Sequence, residues 1–391
     1  MYAQLKLATF FTLGRKLKEA REKVDLVLNR EPANLDALFL LAGILDRENN
    51  LYEAVSVFEK IIEIDGEKPR AYLGLARILA RQGKFDAAEK NLQAAVKIDS
   101  GNIKTHLALF SFYIGRKEFD AALSVINTAI ADNPAEADLY VVLGNFYFSQ
   151  KAREKAEAAY LKAIAAAPEK IKPYMVAAGF YDAQGDREKT LEMYNRALEL
   201  QKDDVRILEA IARYHFKIRE ADKADAYIEK ILEKRHGYFS ARMLRGEIFV
   251  LKKQFAQAAQ LFDQLLKEEP RSARAHYFKG LAHAASGDRQ LAKSSLIKAA
   301  ELSPRDLKSR ILLSQIYLRE RDFALAQKTI EEALAVQPTS DEAKLLQGKA
   351  AYLNPTFFTI RTLIYFAVWT LFARWYWRNS LAQDESGDPA L

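Results

Sequence analysis

Cysteine is missing from this 391-residue chain, and glycine (16) and proline (10) are scarce. The lack of cysteine excludes disulfide scaffolds, thiolate metal sites and cysteine nucleophiles. The scarcity of glycine and proline, with 50% hydrophobic residues, excludes fibrous, low-complexity and disordered chains. The net charge of +7 is spread along the chain, which is typical of a solvated surface and favours an acidic partner only slightly.

The prolines follow a period of 34 residues. From Pro32, steps of 34 reach ten positions, of which six are proline and one is glycine. The positions twelve residues before these are Ala20, Ala54, Ala88, Ala122, Ala156, Thr190, Ala224, Ala258, Ala292 and Ala326. Nine alanines in constant register predict a repeat array in which two backbones approach closely at this position.

Each repeat has the spacing of two helices. Apolar residues recur three and four positions apart in stretches of about a dozen residues, and none of the stretches alternates with period two. Gly83, Gly185 and Gly287 stand where the first helix would end, and the prolines stand after the second. The sequence therefore predicts an all-α chain of helix–turn–helix units.

This pattern resembles the tetratricopeptide repeat, which has small residues at positions 8, 20 and 27, bulky ones at 4, 7, 11 and 24, and proline at 32. Residues 137–170 carry the resemblance well, through Tyr140, Leu143, Gly144, Tyr147, Ala156, Tyr160, Ala163 and Pro168. The resemblance covers residues 1–340, or about 87% of the chain. It implies a right-handed solenoid of about ten repeats: 1–34, 35–68, 69–102, 103–136, 137–170, 171–204, 205–238, 239–272, 273–306 and 307–340.

The resemblance also implies a groove that is lined by the first helix of each repeat and binds peptides. Positions 2, 5, 9, 12 and 13 of that helix point into the groove in the family. The candidate groove residues are Arg70, Lys104, Arg77, Arg81, Asn145, Lys172, Arg206, Arg213, Arg274, Lys308 and Tyr277. A row of cations beside an apolar stripe favours protein or peptide ligands with acidic and apolar residues. Ordinary solvated charges are the alternative interpretation.

The histidines do not indicate catalysis. His106, His215, His276 and His283 fall at positions 4 or 11, where the family places core aromatics, and His236 falls in a loop. No phosphate loop, nucleophile elbow or zinc motif is present in the sequence. We therefore expect no enzyme activity, no cofactor and no metal. Nucleic acid is an unlikely ligand, because the aromatics occupy core positions and the basic residues alternate with acidic ones.

The sequence changes character after residue 340. Residues 341–356 predict a partial eleventh helix and a linker, 357–377 a transmembrane helix, and 378–391 a polar tail. Membrane-anchor candidates at the ends and centre of that helix are Arg361, Trp369, Arg374, Trp375 and Trp377. The alternative is an apolar capping helix on the last repeat.

Residues 349–391 also resemble a segment of a membrane subunit of alternative complex III, a bacterial quinone–cytochrome oxidoreductase. The segment contains no redox ligand. Residues 1–15 lack the pattern of a secretion signal. The leading hypothesis is a scaffold that is tethered to a membrane and takes part in envelope or exopolysaccharide assembly. We expect it to be a single-pass protein of the bacterial inner membrane. The alternatives are an accessory subunit of a quinone-linked redox complex, and a soluble adaptor whose tail is a fusion remnant.

Overall fold

The computed structural model describes the backbone of residues 1–353 and 355–386 and the side chains of residues 1–350 and 359–375. Every regular element of the described backbone is an α-helix. The helices are α1 (Tyr2–Leu13), α2 (Leu17–Leu28), α3 (Leu35–Arg47), α4 (Leu51–Ile64), α5 (Pro69–Arg81), α6 (Phe85–Ile98), α7 (Ile103–Arg116), α8 (Phe119–Asp132), α9 (Ala137–Ser149), α10 (Arg153–Ala166), α11 (Ile171–Gln184), α12 (Arg187–Leu200), α13 (Val205–Lys217), α14 (Ala221–Lys234), α15 (Phe239–Leu251), α16 (Phe255–Glu268), α17 (Ala273–Ser286), α18 (Arg289–Leu302), α19 (Leu307–Arg319), α20 (Phe323–Val336), α21 (Asp341–Leu353) and α22 (Pro355–Ser386).

These helices form two bodies. The N-terminal body, Met1–Lys202, contains α1–α12, and the C-terminal body, Asp203–Leu391, contains α13–α22. Within each body, an odd-numbered helix packs against the even-numbered helix that follows it, and successive pairs pack against one another. Two helices thus fall within each 34-residue interval, and each body has a core of residues shared between neighbouring pairs.

Polar residues set where several odd-numbered helices begin. The Asn34 side chain accepts a hydrogen bond from the backbone N–H of Ala37, and Asn102 accepts one from Lys104. Asp306 accepts bonds from Lys308 and Ser309 at the start of α19. Each bond satisfies an N–H group that has no partner within the helix.

The turn between the two helices of a pair has the same backbone conformation in every repeat. One residue there has a positive φ, between 57° and 94°, at a constant spacing of 34 residues. These residues are Arg15, Asn49, Gly83, Lys117, Lys151, Gly185, Arg219, Lys253, Gly287 and Arg321. Glycine adopts this conformation without strain, whereas other residues lose about 1–2 kcal/mol. Six of the seven non-glycine residues are Lys or Arg, whose charge is favourable beside the carbonyl end of a helix.

The alanine column predicted from the sequence is completely buried. All ten residues, including Thr190, have 0% of their surface exposed. They lie in the even-numbered helices α2 to α20, on the face that packs against neighbouring helices. A larger side chain at this position would separate the helices, because buried side chains already fill the surrounding space.

A glycine in an odd-numbered helix faces a large side chain in the next helix. A Cβ atom on Gly144 would lie 2.5 Å from the ring of Tyr160, and one on Gly246 would lie 2.6 Å from Phe262. Glycine is therefore required at position 8 wherever the ring at position 24 lies as close to that backbone as Tyr160 and Phe262 do. Phe110, the exception to the small-residue rule at position 8, is buried and packs edge-on against Phe146 at 6.0 Å between ring centroids.

The end of the described chain departs from the predicted boundaries. The helix that starts at Asp341 is α21, and it packs against α20 with Ala343, Leu346 and Ala350 buried. Next, α22 continues from Pro355 through to Ser386, past the boundary predicted at residue 377. The helix is unbroken because residues 356–386 contain neither glycine nor proline.

The described part of α22 is apolar and exposed. Its exposed large side chains are Ile360, Leu363, Ile364, Tyr365, Phe366, Val368, Trp369, Leu371, Phe372 and Trp375. Of the other anchor candidates, Arg374 is exposed and Arg361 is half-buried, whereas the side chain of Trp377 and the polar tail 378–391 lie outside the described side chains. No helix within the described residues combines the length and the hydropathy that a membrane crossing needs. The transmembrane span predicted at 357–377 is thus not supported.

The glycine–ring contact can be tested with two glycines that differ only in their surroundings. Gly144→Ala should lower the free energy of unfolding by about 1–3 kcal/mol, because the new methyl group overlaps Tyr160. Gly179, in α11, has no atom within 4 Å of the position of a Cβ, so Gly179→Ala should raise it by about 0.5–1 kcal/mol. Urea unfolding followed by circular dichroism measures both, and equal effects of the two substitutions would contradict the packing argument.

Candidate functional site

Two of the six predicted groove residues of the N-terminal body, Arg70 and Arg77, meet at a pocket of about 350 Å³ beside α3 and α5. It is lined by Phe39, Gly43, Phe58, Arg70, Leu73, Gly74 and Arg77. The guanidinium of Arg70 lies 4.4 Å from the centroid of the Phe39 ring, which is a cation–π contact. Gly43 and Gly74 have no side chains that would cover the apolar floor of the pocket. A Cβ on Gly74 would lie 2.3 Å from the Phe58 ring. The pocket therefore combines an exposed cation with two aromatic rings.

One carboxylate beside this pocket holds two of the predicted cations. Arg77 binds Asp46 at 2.8 Å, and Arg81 also binds Asp46. Arg81 donates a further hydrogen bond to Asn49 at 2.8 Å. Because α3 carries Asp46 and α5 carries both arginines, these ion pairs join successive repeats. Asp46 thus neutralises part of the positive charge of the groove.

Three of the five predicted groove residues of the C-terminal body meet at a larger pocket, of about 690 Å³. The lining residues come from α13, α15, α17 and α19 and from the loop before α19: Phe216, Glu247, Ala273, Arg274, Tyr277, Phe278, Ser303, Arg305, Asp306 and Lys308. It thus contains three of the predicted groove residues, Arg274, Tyr277 and Lys308. It also contains three aromatic rings.

A buried carboxylate forms the base of this second pocket. Glu247 is only 2% exposed, and its carboxylate lies 2.7 Å from Nε and 2.9 Å from Nη2 of Arg274. Burial raises the pKa of Glu247, and the ion pair with Arg274 opposes that rise. The guanidinium of Arg274, 6.0 Å from the Phe278 ring centroid, is consequently held in a fixed orientation at the pocket.

A second carboxylate, Glu209 on α13, links α13 to α15. It accepts hydrogen bonds from Arg213 and Ser240, both at 2.6 Å, and from the Tyr238 hydroxyl at 2.9 Å. Burial alone would raise the pKa of Glu209, but the hydrogen bonds from Ser240, Arg213 and Tyr238 outweigh burial and lower it. Arg213 is therefore part of a structural network between two repeats.

The remaining candidates lie outside both pockets. Lys172 binds Asp138 at 2.7 Å, and Arg206 binds Asp204 at 2.6 Å. Asn145 accepts a hydrogen bond from the Tyr160 hydroxyl at 2.8 Å. Of the nine predicted cations, Arg70, Lys104 and Lys308 make no ion pair with the described part of the chain. The row of cations is therefore largely compensated by carboxylates of the same or the neighbouring repeat.

Several pocket residues were missed by the sequence interpretation. Glu247 occupies position 9, the same position as Arg77 and Arg213, so the repeat register could have found it. Arg305 belongs to a loop between repeats, and Phe216 and Phe278 were not among the predicted groove residues. Only the folded arrangement shows that these residues face the pocket.

Three of the five histidines have structural partners in the described chain. The Nε2 atoms of His106 and His276 donate to the carbonyl oxygens of Ser100, at 2.8 Å, and Pro270, at 3.1 Å. The hydroxyls of Tyr140 and Tyr174 make the same bond to Pro134 and Pro168. Histidine thus replaces tyrosine at position 4, where the ring fixes the loop from the preceding repeat. The buried ring of His215 stacks on Tyr227 and bonds Glu220 at 2.8 Å.

Comparison with known families assigns this fold. Sequence models described as tetratricopeptide repeat match residues 47–104, 79–137, 137–170, 243–306 and 311–357. Together these matches span more than half of the chain, and the chain belongs to the tetratricopeptide repeat family. A tetratricopeptide repeat fold supports a role as a protein–protein interaction scaffold.

Solved structures with a similar architecture are repeat proteins of low sequence identity. Yeast Tom70 is 13% identical with a TM-score of 0.51, and the match covers 90% of this chain and 95% of Tom70. A tetratricopeptide repeat protein from Parabacteroides merdae is 17% identical with a TM-score of 0.49, over 72% of this chain and 98% of the other. The pilus biogenesis factor PilW is 18% identical with a TM-score of 0.47, and the match covers 54% of this chain and 97% of PilW. The search of curated proteins gave no significant match.

The Glu209 network predicts a dependence of stability on pH. A carboxylate whose pKa is lower in the folded state stabilises the protein above the unfolded value of 4.5, and this contribution is lost as the pH falls through the folded pKa. Glu209→Gln should therefore lower the free energy of unfolding at pH 7 and reduce its further loss on acidification below pH 4.5. Urea unfolding across the acidic range, with the exposed Glu229→Gln as control, measures this difference. An unchanged pH profile for Glu209→Gln would contradict it.

Proposed function

We propose that this chain is a scaffold that binds extended protein segments bearing acidic and apolar side chains. The observation that carries the proposal is the pairing of an exposed arginine with aromatic rings in each of two pockets, at Arg70 and at Arg274. Both pockets are lined by the first helices of consecutive repeats, the surface that the family uses for peptides.

The C-terminal pocket has the chemistry for a carboxylate next to an apolar side chain. Glu247 engages only the Nε and Nη2 groups of Arg274, so further N–H groups of that guanidinium are left for a ligand. Arg305 and Lys308 add positive charge at the rim, against the one further carboxylate of Asp306. Tyr277 and Phe278 supply the apolar surface. An acidic residue beside a leucine or an aromatic residue would satisfy both parts.

Arg70 and Lys308, two of the three predicted cations that make no ion pair with the described part of the chain, allow a test that leaves the structural ion pairs intact. The probes are capped synthetic peptides with alternating acidic and apolar residues, and matched peptides with lysine in place of the acidic residues. Arg70→Glu and Lys308→Glu together should weaken binding of the acidic peptides at least about tenfold, because each charge-assisted contact contributes about 1.5–3 kcal/mol.

The matched control is Lys162→Glu with Lys328→Glu, which reverses two exposed lysines on the second helices α10 and α20. Fluorescence anisotropy should show unchanged affinity for this control. Equal binding of the acidic and the lysine peptides, or equal losses in both double variants, would refute the groove assignment. Displacement of the peptide by a single-stranded oligonucleotide, with a steep salt dependence, would instead favour nucleic acid.

A second proposal concerns α22 and a lipid surface. The ten exposed apolar residues of its described part are distributed around the whole helix, so no single protein groove would cover them. Trp369 and Trp375, both exposed, are residue types that settle at the boundary between lipid and water. We propose that α22 attaches the scaffold to a membrane.

Fractionation tests this attachment. The full chain should stay with membranes after a carbonate wash, whereas a chain ending at Leu353, which keeps α21 on the last repeat, should be released. A full chain with Leu363, Phe366 and Phe372 replaced by serine is the matched variant, because it keeps the helix length and lowers only its apolarity. Retention of the truncated chain would refute the attachment through α22.

A further inference from the structure

Two arginines lie at the edge of the C-terminal body from which α22 starts. The helices α19 and α21 are the first helices of successive repeats and pack against one another, so their C-terminal ends lie at the same edge. Arg319 is the last residue of α19, and Arg321 stands in the turn that follows. Both arginines are exposed. Because α22 begins directly after α21, it leaves the repeats beside these two cations.

The carboxylates beside these arginines have other partners. Glu320, between the two in sequence, binds the ammonium of Lys293 at 2.7 Å. Asp322 accepts a hydrogen bond from the backbone N–H of Leu325 at the start of α20. Neither arginine makes an ion pair with the described part of the chain. The two guanidinium groups therefore present their charge to solvent.

The sequence of α21 and α22 continues this positive charge. Residues 343–383 contain no acidic residue, in a chain where acidic residues (52) are nearly as frequent as basic ones (59). Lys344 and Lys349 are exposed on α21, and Arg374 is exposed on α22. The basic residues of this acid-free stretch are Lys344, Lys349, Arg361, Arg374 and Arg378. The apolar helix thus lies between cations, with no carboxylate along it to compensate them.

This combination distinguishes between possible partners. An acidic protein surface would attract the cations, but it would not cover an apolar circumference. A neutral bilayer would accept the apolar side chains, but it would offer nothing to the cations. A bilayer with anionic lipids satisfies both, and each Lys or Arg held at its surface contributes about fivefold in affinity.

We infer that the bilayer to which α22 attaches is anionic, with Arg319 and Arg321 against its headgroups; this rests on the attachment of α22 proposed above. The apolar side chains of α22 supply the insertion, and the cations at the edge of the last repeat select the charge of the surface. The last repeat is thereby held close to the headgroups.

Flotation of the full chain with vesicles measures this selection. One set of vesicles contains phosphatidylcholine alone, and in the other set about a third of the lipid is phosphatidylglycerol. Half-maximal binding should need at least about tenfold less of the anionic lipid, and this advantage should shrink as the salt concentration rises.

Replacing the two arginines tests their part in the selection. Arg319→Gln with Arg321→Gln should weaken binding to the anionic vesicles about tenfold and leave binding to phosphatidylcholine unchanged. The matched control is Arg235→Gln with Arg271→Gln, two exposed arginines in the loops between repeats, at the opposite edge. The control should keep the affinity of the original chain for both kinds of vesicle, and helicity should be unchanged in all variants.

The outcomes separate this inference from the attachment itself. If the full chain floats with neither kind of vesicle, the attachment through α22 is refuted together with its selectivity. Equal binding to both kinds would leave the attachment intact and overturn the preference for anionic lipid. Equal losses in the two double variants would overturn the role of Arg319 and Arg321, because any pair of arginines would then have the same effect.

Discussion

The close approach of paired helices at one buried alanine is the constraint on which the repeats of this structure depend. The alanine column is completely buried in both bodies, and even the threonine that interrupts it has no exposed surface. A small residue here lets two helix backbones come together, so the large residues of position 24 can reach the facing helix. At Tyr160 and Phe262, whose rings reach the facing helix, position 8 is occupied by Gly144 and Gly246. The period of 34 residues is thus a packing rule as well as a sequence pattern.

Carboxylates pair with most of the cations of the predicted groove. Asp46, Glu209 and Glu247 each bind residues of the next repeat, and in doing so they hold arginines that the sequence offered as ligand contacts. An arginine that is held by a buried carboxylate loses less side-chain entropy when a ligand binds, because its orientation is already fixed. The compensation leaves three of the nine predicted cations without an ion pair in the described part of the chain.

The two ends of the chain differ from the inner repeats in what covers them. In α1, Phe10 is 70% and Leu7 is 44% exposed, while α21 is covered on one side by α20. The exposed face of α1 is one stripe, whereas the described part of α22 is apolar around its circumference. An apolar stripe on one face of a helix can be covered by one neighbouring helix. An apolar circumference must be covered on all sides, as lipid can do.

The sequence by itself determined the helical class, the repeat length, the alanine column and the family, because each follows from residue spacing that ten repeats test together. It also identified His106 and His276 as substitutes for a ring, from their position alone. The tertiary structure alone decided which cations are paired, since Asp46 with Arg81 and Glu247 with Arg274 are separated by 35 and 27 residues. It also placed Phe216 and Arg305 at a pocket. The spacing of residues within a helix determines on which face of the helix each residue lies. Which residues pack against that face depends on how the helices stack.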